Sequence, residues 1–341
     1  MSSPRPRTPR RLRLFAALTL AGSLALTACG GEDASPPEGE AQPTQETSEQ
    51  QVFTVESPLT GLPLKGDGPK NPVLAVKIDN SSSSSPQVGL GSADMVAEEL
   101  VEGGATRLAV FFHSKVPADV GPVRSMRATD IGVVRPLEAV LVASGGAPQT
   151  VARVRDAGIR SVTEGGTGYY RASGRSAPYN LFMRLGELAK TLKADGLPDA
   201  YFPFGKGGLP KGKPAGTLTT SFSGGSSSTF RFEKGSYVNT DTYSGASDQF
   251  RPRTVLALRV QIGDAGYRDP AGNPVPETKF TGTGEATIFT GGRAVTGTWT
   301  KNGLEAPLQL AAGNGRKLTL PPGKVWLALV PASGGGVSYQ K

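Results

Sequence analysis

Cysteine and histidine are almost missing from this chain: its 341 residues hold one of each, Cys29 and His113. A single thiol closes no intrachain disulfide, and so few nitrogen and sulfur ligands cannot assemble the usual zinc centre. A Ser-His-Asp triad would have to use His113, which ends the apolar run Ala109-Val-Phe-Phe-His113, where a packed structural histidine is the simpler reading. Glycine-rich phosphate loops of the G-x-x-x-x-G-K-[ST] and G-x-G-x-x-G types are absent, and the usual nucleotide-binding signatures go with them. The one Ser-x-x-Lys spacing, Ser338 to Lys341, lies at the last residue of the chain, a poor place for serine–lysine catalysis. Long apolar runs are missing as well. The best of them, Leu14 to Leu26, has 13 residues, against the roughly 20 that a helix needs to cross a bilayer core. No metal and no cofactor are expected.

Acidic residues are absent from residues 1–28, which instead carry Arg5, Arg7, Arg10, Arg11 and Arg13 ahead of that short apolar run. A positive n-region, an apolar h-region and the small residues Thr27 and Ala28 make the pattern of a secretory signal. Leu26-Thr27-Ala28-Cys29 resembles the bacterial lipobox. The resemblance implies cleavage before Cys29, acylation of its thiol, and a location on the outer face of the cytoplasmic membrane, held there by the lipid. An ordinary signal peptide with a chance cysteine is the alternative.

The formal charge of +8 invites a nucleic-acid reading, but five of those positive charges belong to the leader. Residues 30–51 then hold six acids (Glu32, Asp33, Glu38, Glu40, Glu46, Glu49) and no base, so residues 52–341 carry +9. A basic body outside the membrane has anionic wall polymers, an envelope protein or lipid head groups within reach, and nucleic acid is not expected there. A soluble, merely basic surface explains the same number.

Composition divides the chain into a signal peptide over 1–28 and a lipidated cysteine with an acidic Pro/Glu/Gln/Ser/Thr stalk over 29–51. The stalk has too little apolar surface to fold. Residues 52–202 mix strand-like runs (Val73–Asp79, Ala139–Ala143) and a strand pair or helix–strand unit (Asp94–Val101 with Arg107–His113) with helix-like spacing over Ser125–Arg135, Gln149–Asp156 and Leu181–Lys193. Residues 203–216 are rich in Gly, Pro and Lys and read as a linker. Residues 217–341 show seven short strand-like runs (Leu218–Phe222, Thr229–Glu233, Val255–Ile262, Glu285–Phe289, Ala294–Thr300, Lys317–Leu320 and Val325–Val330) between turn signals such as Asn302-Gly303 and Pro321-Pro322-Gly323. The expected class is α+β: a mixed α/β N-terminal domain followed by a β-rich C-terminal domain.

Several segments match a known pattern. They are Ser57-Pro-Leu-Thr-Gly61, Gln87-Val-Gly-Leu90 with Ala93-Asp94, Glu99-Leu-Val-Glu-Gly-Gly104 with Thr106-Arg107, and Val120-Gly-Pro-Val-Arg-Ser125 with Arg127. Further on come Gly145-Gly-Ala-Pro148, Arg175 with Ala177-Pro-Tyr-Asn180, Gly297-Thr-Trp299 and Pro322-Gly-Lys-Val-Trp326. On these residues the chain resembles the YerB-like lipoproteins, a two-part bacterial family of unknown function, over roughly residues 57–331. The resemblance implies export, a lipid anchor and a two-domain build, and no reaction. Tyr179 departs from the family pattern, in which many relatives have histidine at that position.

What remains for chemistry is a set of carboxylates and arginines: Asp94, Glu98, Glu99, Glu102, Arg107, Arg124 and Arg127. Gly103-Gly104 allows a sharp turn between Glu102 and Arg107. Arginine forks near a helix start suit a carboxylate or phosphate, so Arg107, Arg124 and Arg127, with Asn180 adding hydrogen bonds, are candidate ligand-binding residues. Glu99 or Glu102 as a general acid on a wall glycan is the catalytic alternative, and a buried network that merely fixes loops is the third reading. The Tyr169, Tyr170 and Tyr179 loop is either a sugar-stacking surface or a packed loop, and Trp299 and Trp326 are expected in the β-domain core. Taken together, these residues predict a membrane-anchored extracytoplasmic protein that binds an envelope polymer or partner. A wall-glycan hydrolase or lyase, or a scaffold for a membrane enzyme, stands behind it.

Overall fold

Short β-branched runs in the first part of the chain become strands in the computed structural model, which describes residues 54–341. The expectations for the signal, Cys29 and the acidic stalk lie outside the described residues. In the first part the strands are β1 (Leu74–Asp79), β2 (Met95–Leu100), β3 (Thr106–Phe112), β4 (Val140–Val142), β5 (Ser161–Val162), β6 (Tyr169–Arg171) and β7 (Leu181–Met183). The helices are α1 (Thr129–Val134), α2 (Pro148–Asp156) and α3 (Leu185–Thr191). Then come β8 (Lys213–Pro214), β9 (Thr217–Ser221), β10 (Ser227–Glu233), β11 (Ser236–Asn239), β12 (Thr254–Arg268) and β13 (Pro274–Lys279). The chain finishes with β14 (Gly282–Thr290), β15 (Arg293–Lys301), β16 (Gln309–Ala311), β17 (Val325–Pro331) and β18 (Gly336–Gln340).

Strands from both sequence parts enter one mixed sheet, ordered β16-β15-β14-β12-β17-β2-β3-β1-β4-β5, with β13 and β8 attached at its side. The seam is β17, parallel to β12 on one side and to β2 on the other, with Val325 opposite Met95 and Leu329 opposite Glu99. Every residue of β17 is buried, as expected of a parallel strand covered on both faces. β9, β10, β11 and β18 form a separate four-stranded sheet.

Period-2 alternation sends neighbouring side chains to opposite faces of the large sheet. Ala75, Ala97, Phe111, Leu141, Leu256 and Leu327 join α1 and α2 residues (Ile131, Val134, Val154) in one core. Val76, Val96, Val110, Val142, Val255 and Trp326 join Leu218, Phe230 and Tyr237 of the small sheet and Leu185 of α3 in the other. The result is a mixed sheet with few helices, followed in sequence by a β-rich region.

Three local expectations differ from the structure. Leu181–Lys193 is not one helix: Leu181 to Met183 pair with β6, and Val120 bridges Met183. The helix starts only after Arg184 (ψ 81°), because backbone partners there override the apolar periodicity. Lys317–Leu320 forms isolated bridges to Ala311 and Phe204 rather than a strand. Within 203–216, Leu320 donates to the Pro203 carbonyl and Lys213–Pro214 pairs with β15, so part of that stretch is laid along the sheet.

Candidate ligand-binding site

The β2–β3 hairpin brings the charged residues together. Gly103 (φ 70°) and Gly104 (φ 74°) take the left-handed backbone that a side chain resists, and the turn they make leaves Glu102 at the hairpin end. In the resulting register Glu99 faces Arg107 directly, with Asp79 of β1 on Arg107's other side. Lys77, Glu99 and Arg107 therefore share one face of the sheet, and Glu98 points to the other.

On the first face lies a chain of ion pairs. Lys77 Nζ is 2.5 Å from Glu99 Oε1 and 2.7 Å from Asp130 Oδ1, and the three side chains are 0%, 2% and 0% exposed. Asp130, in the first turn of α1, also accepts the Arg127 backbone N–H at 2.7 Å. Arg127 grips Glu102 through both ends of its fork, Nε to Oε2 at 2.8 Å and a second nitrogen to Oε1, while another donates to the Met126 carbonyl at 2.8 Å. Arg107 reaches the same Glu102 oxygen at 3.1 Å and the Ser125 carbonyl at 3.2 Å. Arg124 pairs with Asp79 at 3.2 Å and lies 5.0 Å from the Tyr179 ring centroid, a cation–π contact.

Burial and charge set the proton affinities. Burial opposes ionisation of Glu102, but the Arg127 hydrogen bonds and the charges of Arg107 and Arg127 outweigh it and hold the carboxyl down at about 2. Glu99 goes the other way: burial pushes it up to about 7, Lys77 pulls it back, and Asp130 adds repulsion. Arg107 falls to about 10, through burial first and then the neighbouring Arg127 charge, with Glu102 opposing. Burial would lower Lys77, yet Asp130 and Glu99 together raise it. Four cations and four carboxylates balance formally, and such a buried set specifies geometry more than it stabilises the fold.

On the opposite face no cation among the described residues pairs with Glu98. Asn80, Thr106 and Ser228 donate to Oε1 at 3.1, 3.0 and 3.0 Å, and the Trp326 indole donates to Oε2 at 3.2 Å. Burial still pushes Glu98 up to about 7 against those donors.

Among the sequence candidates, then, Glu99, Glu102, Arg107 and Arg127 meet in one network, and Arg124 stands beside it with Asp79. Asn180 is elsewhere, accepting from Arg171 at 2.6 Å. His113 is buried, its backbone N–H donating to Asp94 at 2.7 Å, and burial lowers its proton affinity. The Tyr169 hydroxyl donates into the fold, to the Ala143 and Val162 carbonyls. Trp299 and Trp326 are core residues, each 2% exposed. Lys77 and Asp130 were not among the candidates. A lysine inside the otherwise apolar run Val73–Ile78 was the available signal, because a buried ammonium demands carboxylates.

Beside the network a cavity of about 510 Å³ opens, lined by Ser125, Arg127, Ser144, Gln149, Tyr267 and Arg268 among others. Gly145-Gly-Ala-Pro148 forms its floor at the start of α2, where Ala147 offers no side-chain cap to the first N–H groups. The opposite wall is the β12–β13 hairpin of the C-terminal part, pinned where the Tyr267 and Thr150 hydroxyls meet at 2.8 Å and where Arg153 pairs with Glu277 at 2.5 Å. The hairpin's part in this pocket was invisible in sequence, because the two walls lie more than 100 residues apart. Among the described residues no group of three or more His, Cys, Asp or Glu side chains is placed to hold a metal ion.

A mixed sheet shared by two sequence parts, with an arginine–carboxylate network at the seam, defines a two-part class of protein. Family models agree: residues 59–198 match "Protein of unknown function (DUF3048) N-terminal domain" and residues 218–327 the corresponding C-terminal domain. The chain belongs to that family. It is similar to "Putative lipoprotein YerB" of Bacillus subtilis, 24% identical over 295 residues that cover 81% of this chain and 86% of the relative. The crystal structure of the Bacillus subtilis YerB protein has the same fold, with a TM-score of 0.70 at 20% identity, covering 83% of this chain and 99% of that one.

Proposed function

We propose that this protein is a lipid-anchored extracytoplasmic binding protein, tethered through Cys29, that recognises an anionic group of a cell-envelope polymer or envelope protein. The lipobox-like Leu26-Thr27-Ala28-Cys29 and the lipoprotein named among its relatives support the anchor. Among the described residues no helix is long and apolar enough to cross a membrane.

The observation that carries the binding reading is the cavity beside the network. It gathers Arg268, two serine hydroxyls 3.2 Å apart and the uncapped start of α2, with Arg127, itself held by Glu102, and one acid, Asp269, also in the lining, a set of donors suited to carboxylate or phosphate. The candidate acids fit catalysis less well. Glu102, held at about 2 by two arginines, is ionised at neutral pH and has no proton to donate. Glu99 keeps a proton more readily, but it is buried under Lys77 and Asp130 and takes no part in the cavity lining.

The test is retention of residues 29–341 on purified walls with and without teichoic acid. Binding that weakens with salt and falls in Arg268→Glu is expected; retention no greater than on a neutral resin at low salt would overturn the reading.

A further inference from the structure

Among the described residues five large apolar side chains are exposed, and three of them, Val55, Leu62 and Leu197, lie on or next to the first hairpin of the described chain. Val55 and Leu62 sit on the leading hairpin, closed where the Leu64 N–H meets the Val55 carbonyl at 2.8 Å. Leu64 of that hairpin and Leu197 converge on Gly68, where an added Cβ would lie 3.0 Å from one and 3.7 Å from the other. Next to them a groove of about 790 Å³ runs between residues 67–71 and α3 with its following turn. The Ala194 N–H donates across it to the Lys70 carbonyl at 3.0 Å. Lys70, Lys190 and Lys193 line the groove, all exposed, against the single acid Asp67.

We propose that this face docks on the anionic phospholipid surface to which Cys29 tethers the chain, an inference that rests on the lipid-anchor reading. Three features select a membrane as the occupant. The described chain starts at Thr54, directly before the hairpin and 25 residues after Cys29, so the tether reaches at most about 80–90 Å. The groove's lysines outnumber its acid three to one, complementary to anionic head groups, and exposed leucine and valine beside lysine is the chemistry of interfacial contact. A tether also holds the face near the lipid at an effective concentration in the millimolar range, so each lysine need contribute only its usual gain of about fivefold.

Docking would orient the protein: the groove faces the bilayer while the rest of the body extends outward.

Cys29, as the only thiol, permits a direct test. Residues 29–341 are coupled through it to a maleimide lipid in vesicles of phosphatidylcholine alone or mixed with phosphatidylglycerol, and lysine acetylation is followed by mass spectrometry. Lys70, Lys190 and Lys193 should react at least about fivefold more slowly on the anionic vesicles, with Lys234 and Lys317 unchanged. The protection should vanish at high salt. In the uncoupled chain, Lys70→Glu/Lys190→Glu/Lys193→Glu should lower partition to anionic vesicles by about 100-fold. All three side chains are exposed, so the triple variant should keep its fold, which circular dichroism and urea unfolding check. Equal labelling on both vesicles overturns the proposal, as does protection of the same lysines by purified wall in the absence of vesicles. Because coupling imposes the anchor chemically, failure of the anchor reading shows separately, as palmitate labelling in cells that is missing from the wild type or persists in Cys29→Ser.

Discussion

Replacing Lys77 by Met removes the one ammonium that neutralises Glu99 and Asp130. It sits 2.5 and 2.7 Å from their oxygens, and none of the three side chains is more than 2% exposed. Methionine nearly fills the volume, so the cost is electrostatic: two carboxylates left in a low-dielectric interior without their cation. Breaking such a buried pair costs about 3–5 kcal/mol, a large share of the 5–15 kcal/mol that a domain usually has. The loss should depend on pH. Glu99 already titrates near 7 in the intact network, and without Lys77 the folded state holds its protons more tightly still. Because the unfolded chain releases them near 4.5, the variant recovers stability as pH falls, by about 1.4 kcal/mol per unit for each proton taken up. Urea unfolding, read by the buried indoles of Trp299 and Trp326, at pH 8 and pH 6 should give a deficit about 1.4 kcal/mol smaller at the lower pH, because the wild type, with Glu99 at about 7, gains about half of what the variant gains over that interval. Lys77→Met/Glu99→Gln should regain part of the loss at pH 8. A deficit below about 1 kcal/mol, or one indifferent to pH, would refute the reasoning.

Three further outcomes follow from the same geometry. Glu98, raised to about 7 by burial, keeps a proton that the unfolded chain sheds near 4.5, so by itself it lowers wild-type stability by about 3 kcal/mol as pH rises between those values, and Glu99, also raised to about 7, adds a fall of its own. Glu98→Gln should remove about half of the combined slope, and an unchanged slope in urea titrations would contradict the assignment. Glu102 works with the opposite sign: its contribution is present above the unfolded value and lost as pH falls toward 2, and Glu102→Gln, which leaves Arg107 and Arg127 facing each other, should cost about 3–5 kcal/mol at pH 7 while leaving any product release from sacculi as it was. Tyr267→Phe removes the hydroxyl contact to Thr150 at 2.8 Å and should cost about 0.5–1.5 kcal/mol, with faster amide exchange across residues 263–276 as the readout of a loosened pocket wall.

Much of the local structure was legible. Val73–Asp79, Ala139–Ala143 and Val325–Val330 are apolar runs bounded by turn signals, and each holds a strand buried along its whole length, as a continuous apolar run inside a sheet requires. Gly103-Gly104 announced the sharp turn between Glu102 and Arg107, while the pairing of Glu99 with Arg107 came only with the strand register. Leu181–Lys193 was misread because apolar residues at helical spacing are equally available to a short strand followed by a helix, and the choice lay with β6, remote in periodicity though near in sequence. The short strands β11, β13, β16 and β18 carry too few apolar residues for a period to be visible.

Residue types, their local order and the leader-like start were decided by the sequence alone. They established a scarcity of metal and thiol chemistry, a lipobox-like Cys29, a mixed first part, a β-rich second part, and a cluster of arginines and acids around one hairpin. Tertiary structure decided what that cluster is. Parallel pairing of β17 with β2 joined the two parts in one sheet, and the register of β1, β2 and β3 put Glu98 and Glu99 on opposite faces. Glu99 thereby met Lys77 and Asp130, while Glu98 met only neutral donors. Composition lists charges without distances. Whether a carboxylate is held at about 2 or raised to about 7 depends on burial and on partners brought together only by the fold.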